Sequence, residues 1–199
     1  MSSLVLLLYF VFFGIHITKA EEEVKIDSPL PAAAFKWDAN IRFTNFTPTQ
    51  EQKVIQAISL IKKVFAAPKF RDQILNHTFD GRKKFIDAEG RSNEEIYQII
   101  LEGAERMGIT ASNNKMDVEL ELYYDTSNTI GYTYPNVTKI WMNKKYFNKY
   151  SPVQVAGNLT HEWLHKLGFG HSMTWSKSRD ASVPYAIGYL MEKMAREIQ

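Results

Sequence analysis

Three histidines and one glutamate near the C-terminus stand in the spacing of a metal-dependent hydrolytic site. His161 and His165 are four residues apart, and Glu162 directly follows the first of them. Residues four apart on a helix share one face, so both imidazoles can bind the same ion. Gly168 permits a sharp turn, because glycine adopts the left-handed conformation that ends helices without a steric penalty. That turn would bring His171 to the same ion, so the spacing predicts three histidine ligands.

The predicted chemistry follows from this ligand set. Three neutral imidazoles leave the fourth position of a tetrahedral Zn²⁺ open to water, which is typical of a catalytic site. Zinc lowers the pKa of that water to about 7 and polarises a substrate carbonyl. Glu162 is then the candidate general base, which takes the proton of the water and passes it to the leaving amine. We therefore expect one catalytic Zn²⁺ and hydrolysis of peptide bonds in a protein or peptide substrate.

The segment also resembles a known group of enzymes. Residues 161–171 match HExxHxxGxxH at every fixed position, and this extended motif is similar to that of the metzincin clan of zinc endopeptidases. The resemblance implies a small α+β catalytic domain with a mixed twisted sheet, a backing helix, an active-site helix and a C-terminal helix. It also implies an antiparallel edge strand, within residues 129–134, that binds an extended peptide by β-augmentation. An ordinary hairpin strand is the alternative for those residues.

The sequence departs from the clan where a methionine turn is expected. That turn should lie between the third histidine and the last helix, but Pro184 stands where the pattern would place methionine. Met173 is too close to His171, and Met191 falls on the apolar face of the last helix, so the turn is not assigned. Some clan members use a tyrosine near that turn to stabilise the oxyanion. Tyr185 is the candidate by position, with packing at the start of the last helix as its alternative role.

Two other functions fit part of the pattern. A zinc-binding module of the same fold without activity would keep the three histidines, but it would not need Glu162 beside an open metal position. Some bacterial zinc-dependent RNA hydrolases space three histidines in the same way, but they lack the glutamate after the first histidine and work in the cytosol. Glu162 and the apolar N-terminus of this chain favour a secreted peptidase over both alternatives.

Length and composition fit one folded domain without covalent cross-links. The chain has 199 residues, of which 45% are hydrophobic and 23% are charged, as in an ordinary globular protein. It contains no cysteine, which excludes disulfides, thiol catalysis and cysteine-ligated zinc. The formal net charge is +2 and no long block of one sign occurs, so charge indicates neither a nucleic-acid partner nor a membrane partner. We expect a monomer.

The first 20 residues have the features of a secretory signal peptide. An apolar run covers residues 4–15, which is too short to span a membrane comfortably, and residues 18–20 offer a cleavage site. We therefore predict a signal peptide over residues 1–20, an N-terminal arm over 21–40 and the catalytic domain over 41–199. A secreted or periplasmic location follows, without stable membrane insertion after cleavage. Because no Lys or Arg precedes Leu4, an uncleaved anchor is the alternative.

Three capping boxes predict the starts of helices, at Thr47, Ser92 and Ser151. The first helix would back the sheet, the second is expected to end at Gly108, and the third carries the metal motif. A last helix is predicted from residues 182–184 to the C-terminus, because apolar residues recur there at helical spacing.

Alternation of apolar and polar residues predicts the strands. It indicates strands over residues 41–46 and 116–124. Two further runs, 129–134 and 139–143, are separated by a turn at 135–136 and are expected to form a hairpin. These strands would form the sheet beside which the metal helix packs.

Overall fold

A computed structural model describes residues 35–103, 105, 112–134 and 137–199 of the chain. In chain order, the described part contains β1 (Asp38–Thr44), α1 (Pro48–Ala66), α2 (Pro68–Leu75), α3 (Asn93–Glu102), β2 (Lys115–Tyr123), β3 (Gly131–Thr133), β4 (Lys139–Asn143), α4 (Lys144–Phe147), α5 (Pro152–Lys166), α6 (Lys177–Asp180) and α7 (Val183–Ile198). The predicted signal peptide, most of the predicted arm and the turn at 135–136 lie outside the described residues. Of the helices in the described ranges, none has the length and apolar character needed to span a membrane.

The strands form one mixed sheet with a short antiparallel strand at its edge. Their order is β1-β2-β4-β3, in which β1, β2 and β4 run parallel and β3 runs antiparallel to β4. Every second residue of β2 is buried, so one face of the sheet packs on the core. The protein is therefore a small α+β domain with a mixed sheet, as the sequence predicts, and β3 and β4 form the predicted hairpin.

The helix that carries the histidines is held firmly in the core. α5 packs against both α1 and α7, and Trp163 of α5 is fully buried. The rings of Trp37 and Phe65 lie 5.8 Å and 6.2 Å from the ring of Trp163. The indole N–H of Trp163 donates to Glu105 Oε1 at 2.7 Å. Aromatic packing and this buried hydrogen bond fix α5, so its histidines stand on a rigid support.

Strand β1 begins earlier than the sequence predicts. The alternating pattern begins at residue 41, but the strand begins at Asp38, because residues 38–40 pair with residues 115–117 of β2. These residues belong to the segment predicted as an arm. The prediction of strand at residues 45 and 46 is also wrong, because Asn45 has a φ of 64° and ends the extended run. A distant parallel partner decides the start of β1, and local alternation does not reveal such a partner.

The helical predictions also need correction. α3 ends at Glu102, with Gly103 in the left-handed conformation at a φ of 61°, before the predicted end at Gly108, which lies outside the described residues. The sequence analysis does not predict α2, because a proline after a helical pattern indicates the end of a helix, whereas Pro68 also starts a new one. α4 and α6 have four residues each and are too short to show a periodic pattern.

Candidate metal centre

Helix α5 begins at the predicted capping box. The Ser151 side chain accepts a hydrogen bond from the Gln154 N–H, and the Gln154 side chain accepts one from the Ser151 N–H. The helix then continues to Lys166 without interruption. The ring centroids of His161 and His165 consequently lie 5.1 Å apart on one face of the helix.

A tight turn after α5 brings the third histidine to the other two. Gly168 has a φ of 96°, a conformation that favours glycine. The ring centroid of His171 lies 5.1 Å from that of His161 and 4.9 Å from that of His165. One possible ligand atom from each histidine lies within 4.8 Å of the other two. The three predicted ligands therefore form a group that could bind a metal ion.

Backbone carbonyls fix the tautomers of two of these histidines. His165 Nδ1 lies 2.8 Å from the carbonyl oxygen of Phe169, and His171 Nδ1 lies 2.9 Å from that of Ser172. A carbonyl oxygen only accepts, so each Nδ1 carries the hydrogen and each Nε2 keeps a free lone pair. Metal-binding histidines typically donate their other ring nitrogen in this way. Both side chains are thus in the tautomer that binds a metal through Nε2.

Burial keeps the two helical histidines neutral. It is the main cause that lowers the pKa of His161 to about 3 and the pKa of His165 to about 4, and repulsion from His171 lowers both further. An imidazole binds a metal only in its neutral form. Both groups are therefore ready to act as ligands at neutral pH.

The metal-free protein is expected to lose stability as the pH falls from about 6.5 to about 4. The unfolded chain protonates His161 and His165 near their ordinary pKa of 6.5, whereas the folded protein keeps them neutral. Glu162 has a raised pKa, so the stability that it contributes is present below its ordinary pKa of 4.5 and is lost as the pH rises towards 8. Two histidines outweigh one carboxyl, so the net loss on acidification is on the order of 1–3 kcal/mol.

This loss can be measured by urea unfolding of chelator-treated protein between pH 7 and pH 4. The double variant His161→Gln with His165→Gln should lose less stability over this range than the wild type, because it removes two groups that the unfolded chain protonates and the folded protein keeps neutral; His77, whose pKa burial also lowers, remains. A wild-type free energy of unfolding that stays constant across this range would contradict the burial of neutral imidazoles.

Glu162 lies in the same cavity as the histidines and is only 5% exposed. Burial raises its pKa to about 8, and the charge of Lys166 opposes this rise. A cation bound by the neighbouring histidines would favour the carboxylate form. A carboxyl group in this environment can gain and lose a proton near neutral pH.

Tyr185, at the start of α7, lies beside the histidines. Its ring centroid is 4.4 Å from that of His161 and 4.6 Å from that of His171. The close approach of α7 depends on Gly188, where a Cβ atom would lie 3.1 Å from His161 Cβ. The structure therefore brings the predicted tyrosine next to the histidine group, a position that suits both its packing role and its catalytic role.

The segment in which a methionine turn was sought is instead the start of α7. Pro184 lies in the first turn of that helix. Met173 is 90% exposed on the loop after His171, and Met191 is buried in the core on α7. The departure from the clan's pattern thus lies outside the group formed by His161, His165 and His171.

Lys166 is a buried cation that the sequence analysis missed. It is 1% exposed, and its Nζ donates to the carbonyl oxygens of Tyr134, at 2.9 Å, and Val137. Burial lowers its pKa to about 8, and the charge of Glu162 opposes this change. Its position four residues after Glu162 is visible in the sequence, but a helical lysine is usually solvated. Through these two hydrogen bonds, Lys166 connects the β3–β4 hairpin to α5.

Gly131 marks the contact between the edge strand β3 and α5. A Cβ atom at this residue would lie 3.3 Å from Glu162 Oε1, 3.3 Å from Asn158 Oδ1 and 3.1 Å from the carbonyl oxygen of Trp141. The strand approaches Glu162 closely because residue 131 has no side chain. Asn158 Oδ1 is buried and has no hydrogen-bond partner among the described residues. Neither contact could be predicted, because both depend on how a distant strand packs.

The three histidines, Glu162 and Tyr185 line one cavity of about 1280 Å³. β3 borders it on the side of Glu162, and Tyr185 and Arg179 border it beside His161 and His171. The volume exceeds that of typical small-molecule pockets. The cavity can therefore accept an extended chain of several residues.

Comparisons with protein-family models, with curated proteins and with solved structures find no match to this chain. What the structure itself defines is a small α+β domain with a mixed sheet and a histidine group that could bind a metal ion.

Proposed function

We propose that this chain is a zinc-dependent endopeptidase of the metzincin type. The observation that carries the proposal is the group of His161, His165 and His171 with Glu162 in the same cavity, in the order and spacing of that clan's motif. The mixed sheet with an antiparallel edge strand, and the packing of α1 and α7 on α5, support the same proposal.

The donor set fits zinc. Neutral imidazole nitrogens are ligands that Zn²⁺ takes in catalytic sites, and three of them leave one position for water or substrate. The ligand atoms lie within 4.8 Å of one another, so small side-chain adjustments suffice to bring them to one ion. When bound, zinc supplies a Lewis acid that lowers the pKa of a water to about 7 and polarises the substrate carbonyl.

Glu162 supplies the proton transfers of the proposed reaction. Its carboxylate accepts a proton from the water whose oxygen attacks the carbonyl carbon of the peptide. It then donates that proton to the nitrogen of the leaving amine as the C–N bond breaks. Its burial supports this role, because burial moves its pKa to about 8 and so towards the pH at which both steps occur.

Tyr185 is the proposed partner for the oxyanion that forms during the attack. Its ring lies beside His161 and His171, the residue lines the same cavity, and its phenolic O–H can donate a hydrogen bond. A donor that meets the developing negative charge lowers the barrier of such reactions.

The edge strand β3 is the proposed binding site for the substrate backbone. One side of β3 pairs with β4, and no described strand pairs with its other side. An extended peptide can add to such an edge by main-chain hydrogen bonds. Because Gly131 of β3 lies against Glu162, a peptide bound there would pass over the catalytic carboxylate.

The test of the proposal is an unbiased digestion experiment. Zinc-loaded protein is expected to cleave internal bonds in a mixed peptide library, with the products identified by mass spectrometry. A chelator should stop the cleavage and added zinc should restore it, whereas inhibitors of serine and cysteine peptidases should have no effect. Absence of cleavage by fully zinc-loaded protein, or cleavage of structured RNA in its place, would contradict the proposal.

Gly131→Ala is expected to lower peptide hydrolysis about 10-fold without changing the zinc content. The new Cβ would crowd Glu162 Oε1 and Trp141 O, so either the carboxylate or the strand must move by a few tenths of an ångström. Gly170→Ala is the matched control, because a Cβ there has nothing within 4 Å. Equal kcat/KM values for the two variants would show that β3 does not lie against Glu162 in the working enzyme.

Export is part of the proposal, with a signal peptide over residues 1–20. The apolar run of residues 4–15 supports it. N-terminal sequencing of protein recovered from the medium is expected to begin at Glu21, and a mature protein that begins at Met1 would favour a retained anchor.

A further inference from the structure

Arg179 places a positive charge next to the histidine group. It belongs to α6, and its guanidinium carbon lies 3.8 Å from the ring centroid of Tyr185. The same ring lies 4.4 Å from the ring of His161 and 4.6 Å from the ring of His171. The guanidinium and the histidines of the proposed metal centre thus contact the same aromatic ring.

This charge is only loosely paired within the protein. The Arg179 side chain is 20% exposed, and its nearest carboxylate contact is Asp180 Oδ1, at 3.8 Å from Nη1, which is longer than a hydrogen bond. Arg179 Nε and Asp180 Oδ1 are both buried and have no hydrogen-bond partner among the described residues. A guanidinium carries five N–H donors, and leaving buried donors unsatisfied costs stability. Because Nε is enclosed, an incoming acceptor would meet the guanidinium through the part of the side chain that is exposed to the cavity.

The basic charge on the cavity wall is concentrated at one residue, although Glu89, Asp125, Glu162 and Glu192 also line the cavity. Among the described residues that line the cavity, Arg179 is the one Lys or Arg. Two of the acids on the wall already have partners, since Asp125 accepts from Ser127 and Glu192 pairs with Arg196. Arg179 is thus the positive side chain on the described cavity wall, and it lies beside the histidine group, with Asp180 as a distant partner.

We propose that Arg179 binds a carboxylate of the peptide substrate beside the cleaved bond, which makes the enzyme selective for substrates with an acidic group there. The assignment rests on the proposed peptidase activity. β3 borders the cavity beside Glu162, and Arg179 with Tyr185 borders it beside His161 and His171, so a peptide bound along β3 with its cleaved bond at the histidines would lie near the guanidinium. The carboxylate is that of an Asp or Glu side chain or of the C-terminus of a peptide, and a planar guanidinium suits both.

The first experiment compares matched peptides as substrates of the zinc-loaded full chain. In the first kind of pair, the two peptides differ only by Glu or Gln at one position that flanks the cleaved bond. In the second kind, they differ only by a free carboxylate or an amide at the C-terminus. We expect the acidic member of one pair to have a kcat/KM about 10- to 100-fold above its neutral partner, in line with a charge-assisted hydrogen bond. The pair that shows the preference identifies the source of the carboxylate.

Substitutions of Arg179 test whether this residue causes the preference for acidic peptides. Arg179→Gln should abolish it, and Arg179→Lys should retain part of it, because lysine keeps the charge but loses the paired donors. Arg42→Gln is the matched control, since Arg42 is exposed on β1, at the opposite edge of the sheet from β3, and it should keep the full preference. Zinc content and Tm of each variant show that it is folded. A preference that survives in Arg179→Gln would overturn the assignment.

A binding measurement separates this inference from the proposed function. Calorimetry with zinc-loaded Glu162→Gln should show that the acidic peptide binds about 10-fold more tightly than its neutral partner, and the added substitution Arg179→Gln should remove the difference. Cleavage without any acidic preference overturns the Arg179 assignment and leaves the peptidase. Selective binding of the acidic peptide without cleavage of any peptide by the wild type overturns the peptidase and supports the carboxylate site.

Discussion

Glu162→Gln is expected to lower peptide hydrolysis by about 10²- to 10⁴-fold while the zinc content stays at about one ion per chain. Glutamine has nearly the same shape, so the buried side chain fills the same space, but its amide cannot take a proton from water. The three histidines that could hold the metal are unchanged by the substitution. The measurement is kcat/KM on a peptide that the wild type cleaves, together with metal analysis of the same samples.

Glu197→Gln is the control for removing one carboxylate. Glu197 lies near the end of α7 and pairs with Lys69 on the surface, at 2.6 Å, and exposed pairs of this kind contribute little. Activity and zinc content of this variant should match the wild type. If Glu162→Gln retained wild-type turnover, the general base would have to be another group, and the proposed mechanism would be wrong.

His165→Ala is expected to reduce bound zinc from about one ion per chain to nearly none and to bring hydrolysis down to background. Two histidines remain, and a catalytic zinc site ordinarily needs three protein ligands. The loss should also remove the stabilisation that zinc gives to the folded state, so the Tm of the variant should not rise when zinc is added. Metal analysis after dialysis and thermal unfolding with and without zinc measure both effects.

His77→Gln is the matched control for this loss. His77 stacks on Phe85 with ring centroids 3.9 Å apart and does not belong to the group of three. The variant should keep its zinc and should still gain stability when the metal is added. If His165→Ala kept a full complement of zinc through dialysis, the group of three would not be the metal site.

The parts of the site that sequence analysis predicted are those that local chemistry determines. The capping box at Ser151 starts α5, the four-residue spacing puts His161 and His165 on one face, and Gly168 makes the turn before His171. All of these interactions join residues close together in the chain. The hairpin and the buried face of β2 follow in the same way from short-range alternation.

The parts that sequence analysis missed depend on contacts between distant segments. Asp38 belongs to β1 only because β2 lies beside it, and Gly131 touches Glu162 only because β3 packs on α5. Lys166 resembles any helical lysine until two carbonyl oxygens of the β3–β4 hairpin surround its Nζ. Tyr185 was a candidate by position alone, and the close packing of α7 on α5 through a glycine brings it to the histidines.

The most direct test of the metal centre is a crystal of the zinc-loaded protein measured at the zinc absorption edge. We expect one anomalous peak about 2.0–2.1 Å from Nε2 of each of His161, His165 and His171, with no fourth ligand from the protein. Such a peak would establish an ion that retains a position for water. A map with the three rings turned apart and no peak between them, or with a fourth side chain bound to the ion, would contradict the proposed function.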